Sequence, residues 1–316
     1  MNNMKFLKAA ISIALSFVLV ACQYEVSPWS TDVDCPASVS VDYNIKRLQA
    51  LEAEEGPRTD YKVALLSDPQ MYPGAFENVV KRINARDDIS FILLTGDLAE
   101  TGIKAEFEWT CKVMAKSNKP IFAVIGNHDA LSFGTDIWKD VIGPEDYSFT
   151  YQNSKFVAYN DNKYEFANVP DRAWLAAEAG EDYAHTFAFS HIPPWPEDLE
   201  LSHELKDLGF DLTLHGHEHD FDFWQLFDVQ LPHYVSSFTK FEEYGILTEE
   251  GKNTYVIENN SGVTAYSRGV TIKLDHSILK RALGPFFMAA QNTSVYRHPA
   301  SVIKSVLNPL HLPTLG

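Results

Sequence analysis

Five short apolar runs in this chain each end in side chains able to bind a cation or move a proton. Tyr61–Leu66 leads into Ser67-Asp68-Pro69-Gln70, and Ile89–Thr95 into Gly96-Asp97. Pro120–Ile125 leads into Gly126-Asn127-His128-Asp129, His185–Phe189 into Ser190-His191, and Leu212–Leu214 into His215-Gly216-His217-Glu218-His219. Asp97 is a carboxylate with an oxygen for each of two metals, and Asp68 adds a second carboxylate. Asn127 offers an amide oxygen without charge. The imidazoles of His191, His217 and His219 suit borderline first-row metals. Two cations about 3.5–4 Å apart in such a set clamp a phosphate and generate a hydroxide nucleophile. Gly96, Gly126 and Gly216 permit the sharp turns that bring backbone close to such a site. A single Gly-Asp or a single His marks no more than a turn or a packed core; five such ends in succession form a pattern.

The elements that must position these residues are strands. In an open α/β sheet, ligands bind outside the carboxyl ends of the strands, so five strands sharing one sheet would bring their polar ends together. Helices are expected at Ala75 to Arg86, Ile103 to Ser117, Thr135 to Val141, Asp171 to Ala179 and Asp198 to Leu208, giving the alternation of a layered α/β fold. Tyr147 to Gln152 and Lys155 to Asn160 read as a hairpin turning at Asn153-Ser154. Beyond Gly216 the segments Phe221 to Phe227, His233 to Ser237, Thr254 to Glu258, Val263 to Ser267 and Val270 to Leu274 read as strands completing a second sheet. The domain is expected over residues 59–275. Residues 22–58 are expected as a tether and N-terminal arm with a short helix near Asn44 to Glu54, and 276–316 as a helix and tail.

Taken in order, the motifs resemble those of the calcineurin-like metallophosphoesterases: Asp-x-His, Gly-Asp, Gly-Asn-His-Asp/Glu, a lone His, and Gly-His-x-His. Softer matches lie at Gly143 to Phe149, Ala173-Trp174-Leu175 and Ser190 to Pro194. The resemblance implies a four-layer α/β/β/α sandwich of two mixed sheets. It implies that Asp97 bridges two divalent metal ions. Asp68, Gln70 and His219 would complete one metal site; Asn127, His191 and His217 would complete the other. His128, beside Asp129, would form the catalytic pair that stabilises the transition state or protonates the leaving group. The chain departs from the pattern at Gln70, where most of the family has His. That departure is similar to manganese-dependent ADP-ribose/CDP-alcohol diphosphatases. It also resembles the Asp-Pro-Gln of phosphoesterases that trim ethanolamine phosphate from glycolipid anchors. The implied cofactor is manganese, with iron, zinc or magnesium as alternatives. The implied activity is hydrolysis of a phosphodiester, diphosphate or phosphomonoester, on a small molecule or a lipid headgroup. The alternative is a non-catalytic lipoprotein that keeps the sandwich as a binding scaffold.

The N-terminus bears on location. Lys5 and Lys8 precede an apolar stretch from Ala9 to Ala21 that is shaped like a signal peptide. Its end, Leu19-Val20-Ala21-Cys22, resembles a bacterial lipoprotein signal, which would make Cys22 the lipidated first residue. Gln23 in place of Asp favours the outer membrane, facing the periplasm or the cell surface. Loss of Lys5 and Lys8 with residues 1–21 takes the net charge from −17 to −19. So acidic a chain argues against nucleic acid as a partner, because phosphate-backbone binding rests on Lys and Arg. Cations rather than basic side chains must then draw in a phosphate substrate. Apart from Cys22, the cysteines are Cys35 and Cys111, either bridged in an oxidising compartment or two free thiols. His215 is expected to support the site from behind or merely to pack, and Glu218 to face solvent.

Overall fold

The computed structural model describes residues 27, 29–179, 183–194, 199–225, 231–250, 254–261 and 271–275. Cys22, the leader, the expected strand at Val263 to Ser267 and the C-terminal helix and tail lie outside these residues. Two six-stranded mixed sheets make up the body. The first has the order β12 (Thr271–Asp275), β11 (Thr254–Ser261), β10 (Glu243–Glu250), β1 (Asp60–Leu66), β2 (Ile89–Leu94), β3 (Ile121–Ala123). The second has the order β4 (Tyr147–Tyr151), β5 (Ser154–Ala158), β6 (His185–Phe189), β7 (Leu212–His215), β9 (Pro232–Val235), β8 (Asp222–Gln225). Strands β1 to β3 run parallel, as do β5, β6, β7 and β9.

Local sequence accounts for most of the elements. β2 reads Ile-Ser-Phe-Ile-Leu-Leu and is buried throughout, as a parallel strand covered on both faces must be. Helix α2 (Pro73–Asn84) starts with proline at its first turn, where no amide partner is lost. Phe76, Val79, Val80 and Ile83 form its buried stripe. It packs on α3 (Lys104–Met114), and α4 (Gly134–Val141) follows. Helix α5 (Arg172–Glu178) is capped by Asp171, whose Oδ1 accepts the Trp174 amide at 2.9 Å. With α6 (Leu199–Asp207) it supplies Leu175, Leu201 and Leu205 to a core cluster shared with Val157 and Ala188 of the second sheet.

The two sheets meet through aromatic rings. Phe91 of β2 makes edge contacts with Phe149, Tyr151 and Phe156 at 5.1–5.7 Å between centroids, and Phe122 of β3 stacks on Phe149 at 3.9 Å. Such pairs contribute ~0.5–1.5 kcal/mol each beyond the area they bury, and they set how one sheet lies over the other. At the opposite end of β6 from the polar residues, His185 Nδ1 lies 2.6 Å from Glu249 Oε1 of β10, a buried link between the sheets.

The expected four-layer α/β sandwich is what forms, with three differences. The five strands with polar ends do not share a sheet: β1, β2 and β3 lie in the first, β6 and β7 in the second. The late strands do not all complete the second sheet either. β8 and β9 do, but β10, a strand not among those expected, pairs antiparallel with β1, with Ala64 opposite Ile246, and brings β11 and β12 with it. An unpaired β1 would leave a row of backbone groups at a sheet edge beside the site, and only nonlocal pairing decides which strand covers it.

The third difference lies in the N-terminal arm. Helix α1 spans Val41–Glu55, starting three residues before Asn44, because the Ser40 hydroxyl caps it by accepting the Tyr43 amide. Val39, Val41 and Leu48 enter the main core. Cys35 and Cys111 form a disulfide across 76 residues of sequence, pinning the arm to α3. Closing so long a loop is worth roughly 2–4 kcal/mol. Replacing both cysteines by serine is therefore expected to lower stability by about that amount. Urea midpoints of the oxidised wild type and the double variant test this, and coincident midpoints would remove the bridge from any stabilising role.

Candidate metal centre

The polar ends of the five strands come together where the carboxyl ends of both sheets meet. Donor atoms of Asp97, His191 and His217 lie within 4.8 Å of one another, and so do those of Asp68, Asp97 and His219. Asp97 belongs to both groups. In the first group, His191 Nε2 is 3.3 Å from Asp97 Oδ2. Asn127 Oδ1 is 3.1 Å from His191 Nε2 and 3.0 Å from His217 Nδ1. In the second, His219 Nε2 is 3.4 Å from Asp68 Oδ1. Gln70 Nε2 is 3.3 Å from Asp97 Oδ2 and 3.4 Å from His219 Nε2.

The backbone beneath these side chains is strained. Asp68, Asp97, His217 and His219 all hold positive φ, between 55° and 70°. Asp and His enter this left-handed region more readily than most residues, but doing so costs of order 1 kcal/mol or more each and clusters at functional sites. Two glycines make the approach possible. Gly96 has φ of 95°, and any side chain there would strike the His191 ring. A methyl group at Gly126 would overlap Asp97 Oδ1 and the Asp97 backbone nitrogen.

The residues fit a pair of cations on grounds internal to the structure. Gln70 Oε1 is a buried acceptor without a hydrogen-bond partner, and buried Asp68 Oδ1 has only the His219 ring, 3.4 Å away; an unmet buried acceptor costs ~1–3 kcal/mol. Oxygen acceptors of this kind suit a divalent cation. His191 donates its Nδ1–H to the Thr95 carbonyl at 2.7 Å, which fixes Nε2 as the nitrogen offered to the group.

The electrostatics agree. Burial alone would lower the His191 pKa, yet the Asp97 carboxylate and its hydrogen bond raise it to about 10. Burial would raise Asp97, but His191 and the hydrogen bonds around it hold its carboxyl below the usual range. His219 is raised by its contact with Asp68, and His217 is lowered by burial and by its neighbour His191. The site favours positive charge at its centre.

One expectation changes, at Asp129. Asp97 Oδ1 accepts the His128 amide at 3.0 Å, while its Oδ2 lies 3.3 Å from both His191 Nε2 and Gln70 Nε2. Asp129, expected as half of a catalytic pair, is completely buried and does not hydrogen-bond the His128 ring. Its Oδ1 accepts the Ala99 amide at 2.8 Å and its Oδ2 the Gly126 amide at 2.9 Å. It clamps the Asp97 loop to the Asn127 loop and has no oxygen left for a substrate. Burial, and then the charge of Asp97, push its carboxyl well above the usual range. His128 donates Nδ1–H instead to the Glu100 carbonyl at 2.7 Å, leaving Nε2 available.

His215 is buried within the second sheet, with Nδ1 3.0 Å from Ser190 Oγ and Nε2 2.8 Å from Thr213 Oγ1. Burial lowers its pKa to about 3, so it is a neutral packing group. Glu218 is exposed, as expected. Sequence reading missed Asp161, whose carboxylate oxygens lie 3.2 and 3.0 Å from the Ile192 amide they accept, next to His191. The signal was present: Ser154–Ala158 is a sixth apolar run, and Asn160-Asp161-Asn162 is its polar end. Burial pushes the Asp161 carboxyl up to about 6. Beside Asn127 and His217 opens a cavity of about 350 Å³.

The comparisons with known proteins agree with this geometry. The family model of the calcineurin-like phosphoesterases matches residues 61–221, half of the chain. No curated protein matches significantly. Among solved structures, the purple acid phosphatase PPD1 from yellow lupin (Lupinus luteus) seeds superposes with a TM-score of 0.55 at 13% identity. That match covers 70% of this chain and 55% of the lupin protein, so the chain spans about half the length of that relative. GAP50, described as the anchor in the inner membrane complex of Plasmodium, gives 0.52 at 16% identity over 69% of this chain and 89% of its own. PhoD gives 0.51 at 9% identity over 69% of each. At such identities the likeness is one of fold. The family match, spanning the strands and loops that carry every candidate ligand, shows that this chain belongs to the calcineurin-like phosphoesterases.

Proposed function

We propose that the chain is a two-metal phosphoesterase acting on a phosphodiester, diphosphate or phosphomonoester. The observation that carries this reading is that buried Asp97 belongs to two groups of donors at once, with His191 Nε2 and Gln70 Nε2 each 3.3 Å from its Oδ2. Asn127, His191 and His217 would hold one cation; Asp68, Gln70 and His219 the other. When bound, the cations would polarise the phosphate and supply the nucleophile. The remaining work falls to the chain. The Thr95 carbonyl orients His191, and Asp129 locks the two loops together. In its protonated form His128 would present Nε2–H to the leaving oxygen as proton donor, its Nδ1–H being held by the Glu100 carbonyl.

The two cation positions differ in character. The His191 and His217 side has two imidazoles, whereas the Asp68 side has one and an amide. Gln70 now turns Nε2 toward Asp97 and His219, so ligation requires a half-turn of the amide to bring Oε1 inward. A neutral oxygen donor suits manganese and magnesium, whereas imidazole suits zinc and iron. The isolated protein is expected to hold less than its full metal, and added Mn²⁺ to raise hydrolysis of bis(p-nitrophenyl) phosphate more than Zn²⁺ does. Gln70→His should narrow that preference. Two tightly held zinc ions in the purified wild type, with no gain from manganese, would sink this account. A protein that binds no metal and hydrolyses nothing would be the scaffold of the alternative reading.

We also propose anchoring at the cell envelope through lipid on Cys22. Support comes from the Leu19-Val20-Ala21-Cys22 pattern and from the Cys35–Cys111 bridge, which belongs to an oxidising compartment. No helix among the described residues is long and apolar enough to cross a membrane. Cys22→Ser is expected to release the protein from membrane fractions or to leave its precursor unprocessed. A variant still recovered as mature membrane protein would refute the anchor.

A further inference from the structure

We propose that the cavity beside Asn127 and His217 is a subsite for an apolar, planar substituent of the phosphate ester. Ile192, Pro193, Pro194 and Tyr164 would set that preference; the inference rests on the phosphoesterase reading. The cavity, about 350 Å³, shares Asn127 and His217 with the candidate metal centre, so a phosphate held there directs one substituent into it. Pro193 and Pro194 are buried in its wall, and buried Leu201 lines it as well.

Prolines offer no backbone N–H to a ligand. The amide of Ile192 is already committed to Asp161, and the two Asp161 oxygens share it at 3.0 and 3.2 Å. Asp161, Lys163 and Glu165 also border the cavity, but most of the surface its wall exposes is apolar, so a hydroxyl-rich substituent would exchange water for fewer partners, which is costly. An apolar ring needs no such partners and gains the burial. Tyr164 stands at the same cavity, 88% exposed. A large aromatic ring so exposed beside an apolar recess offers a face for a ring to stack on. The flat surfaces of the prolines and the tyrosine favour an aryl group over a branched one.

The test is binding of three non-hydrolysable probes to the manganese-loaded full-length protein by calorimetry: phenylphosphonate, methylphosphonate and 2,3-dihydroxypropylphosphonate. Phenylphosphonate should bind ~10–100-fold more tightly than methylphosphonate, the range one buried ring gives in an apolar pocket. The dihydroxypropyl compound should bind no more tightly than the methyl one. Ile192→Thr and Tyr164→Ser should each reduce the phenyl-to-methyl ratio. Tyr164 is exposed, so that variant tests the subsite without disturbing the core. Equal affinities for phenyl and methyl, tighter binding of the dihydroxypropyl probe, or no binding of any probe would overturn the subsite. Hydrolysis of bis(p-nitrophenyl) phosphate separates the two claims. Turnover with no phenyl preference leaves the phosphoesterase reading standing, and a phenyl preference with no turnover keeps the subsite and removes the enzyme.

Discussion

Asp97→Asn is expected to reduce phosphodiester hydrolysis by about 10³-fold or more and to strip most of the bound metal. Removing a partner one layer outside a metal typically costs ~10–100-fold in affinity or activity, and under the proposed reading Asp97 would stand a layer further in. Among the described residues it alone belongs to both donor groups. Its Oδ2 faces His191 Nε2 and Gln70 Nε2, each at 3.3 Å. The substitution keeps shape but removes the charge that two cations would share, and it places an amide where only an acceptor serves. Metal content by elemental analysis and turnover of bis(p-nitrophenyl) phosphate are the measurements. Thermal unfolding of the metal-free forms separates loss of the site from loss of the fold. Unchanged turnover in a folded variant would falsify the assignment of the centre.

His128→Ala should behave differently: kcat falls while metal stays. General acid–base participation is worth ~10²–10⁴-fold. The link between His128 and Asp97 is through the backbone amide, which alanine retains. The ring is tied to Glu100 rather than to any candidate ligand, so its removal spares the metal groups. The loss should be larger for alkyl leaving groups than for p-nitrophenolate, which departs without a proton. Loss of metal from the variant would make His128 a ligand and overturn this division of roles.

What the sequence by itself determined was the identity of the candidate ligands. Seven candidate ligands were legible because each follows an apolar run long enough to be a buried strand, and strand ends are where α/β folds place ligands. The side-chain types then pointed to metal and phosphate chemistry, and the acidic charge argued against nucleic acid as a partner. The helices were readable too, since apolar spacing and Asp171 are local signals.

What only the tertiary structure decided was everything that depends on contacts distant in sequence. Which sheet each strand joins is a matter of edge pairing, and nothing local told β10 to cover β1. The role of Asp129 turned on whether its carboxylate faced the ring next to it or two amides elsewhere; the amides of Ala99 and Gly126 claim it. Asp161 lies 30 residues before His191 and reaches it only because β5 and β6 are parallel neighbours. The sharing of Asp97 by two donor groups and the largely apolar cavity beside His217 arise in the same way. A sequence states which groups are present and how the backbone near them turns. Aromatic packing between the two sheets, which sets their stacking, determines which atoms of those groups face one another.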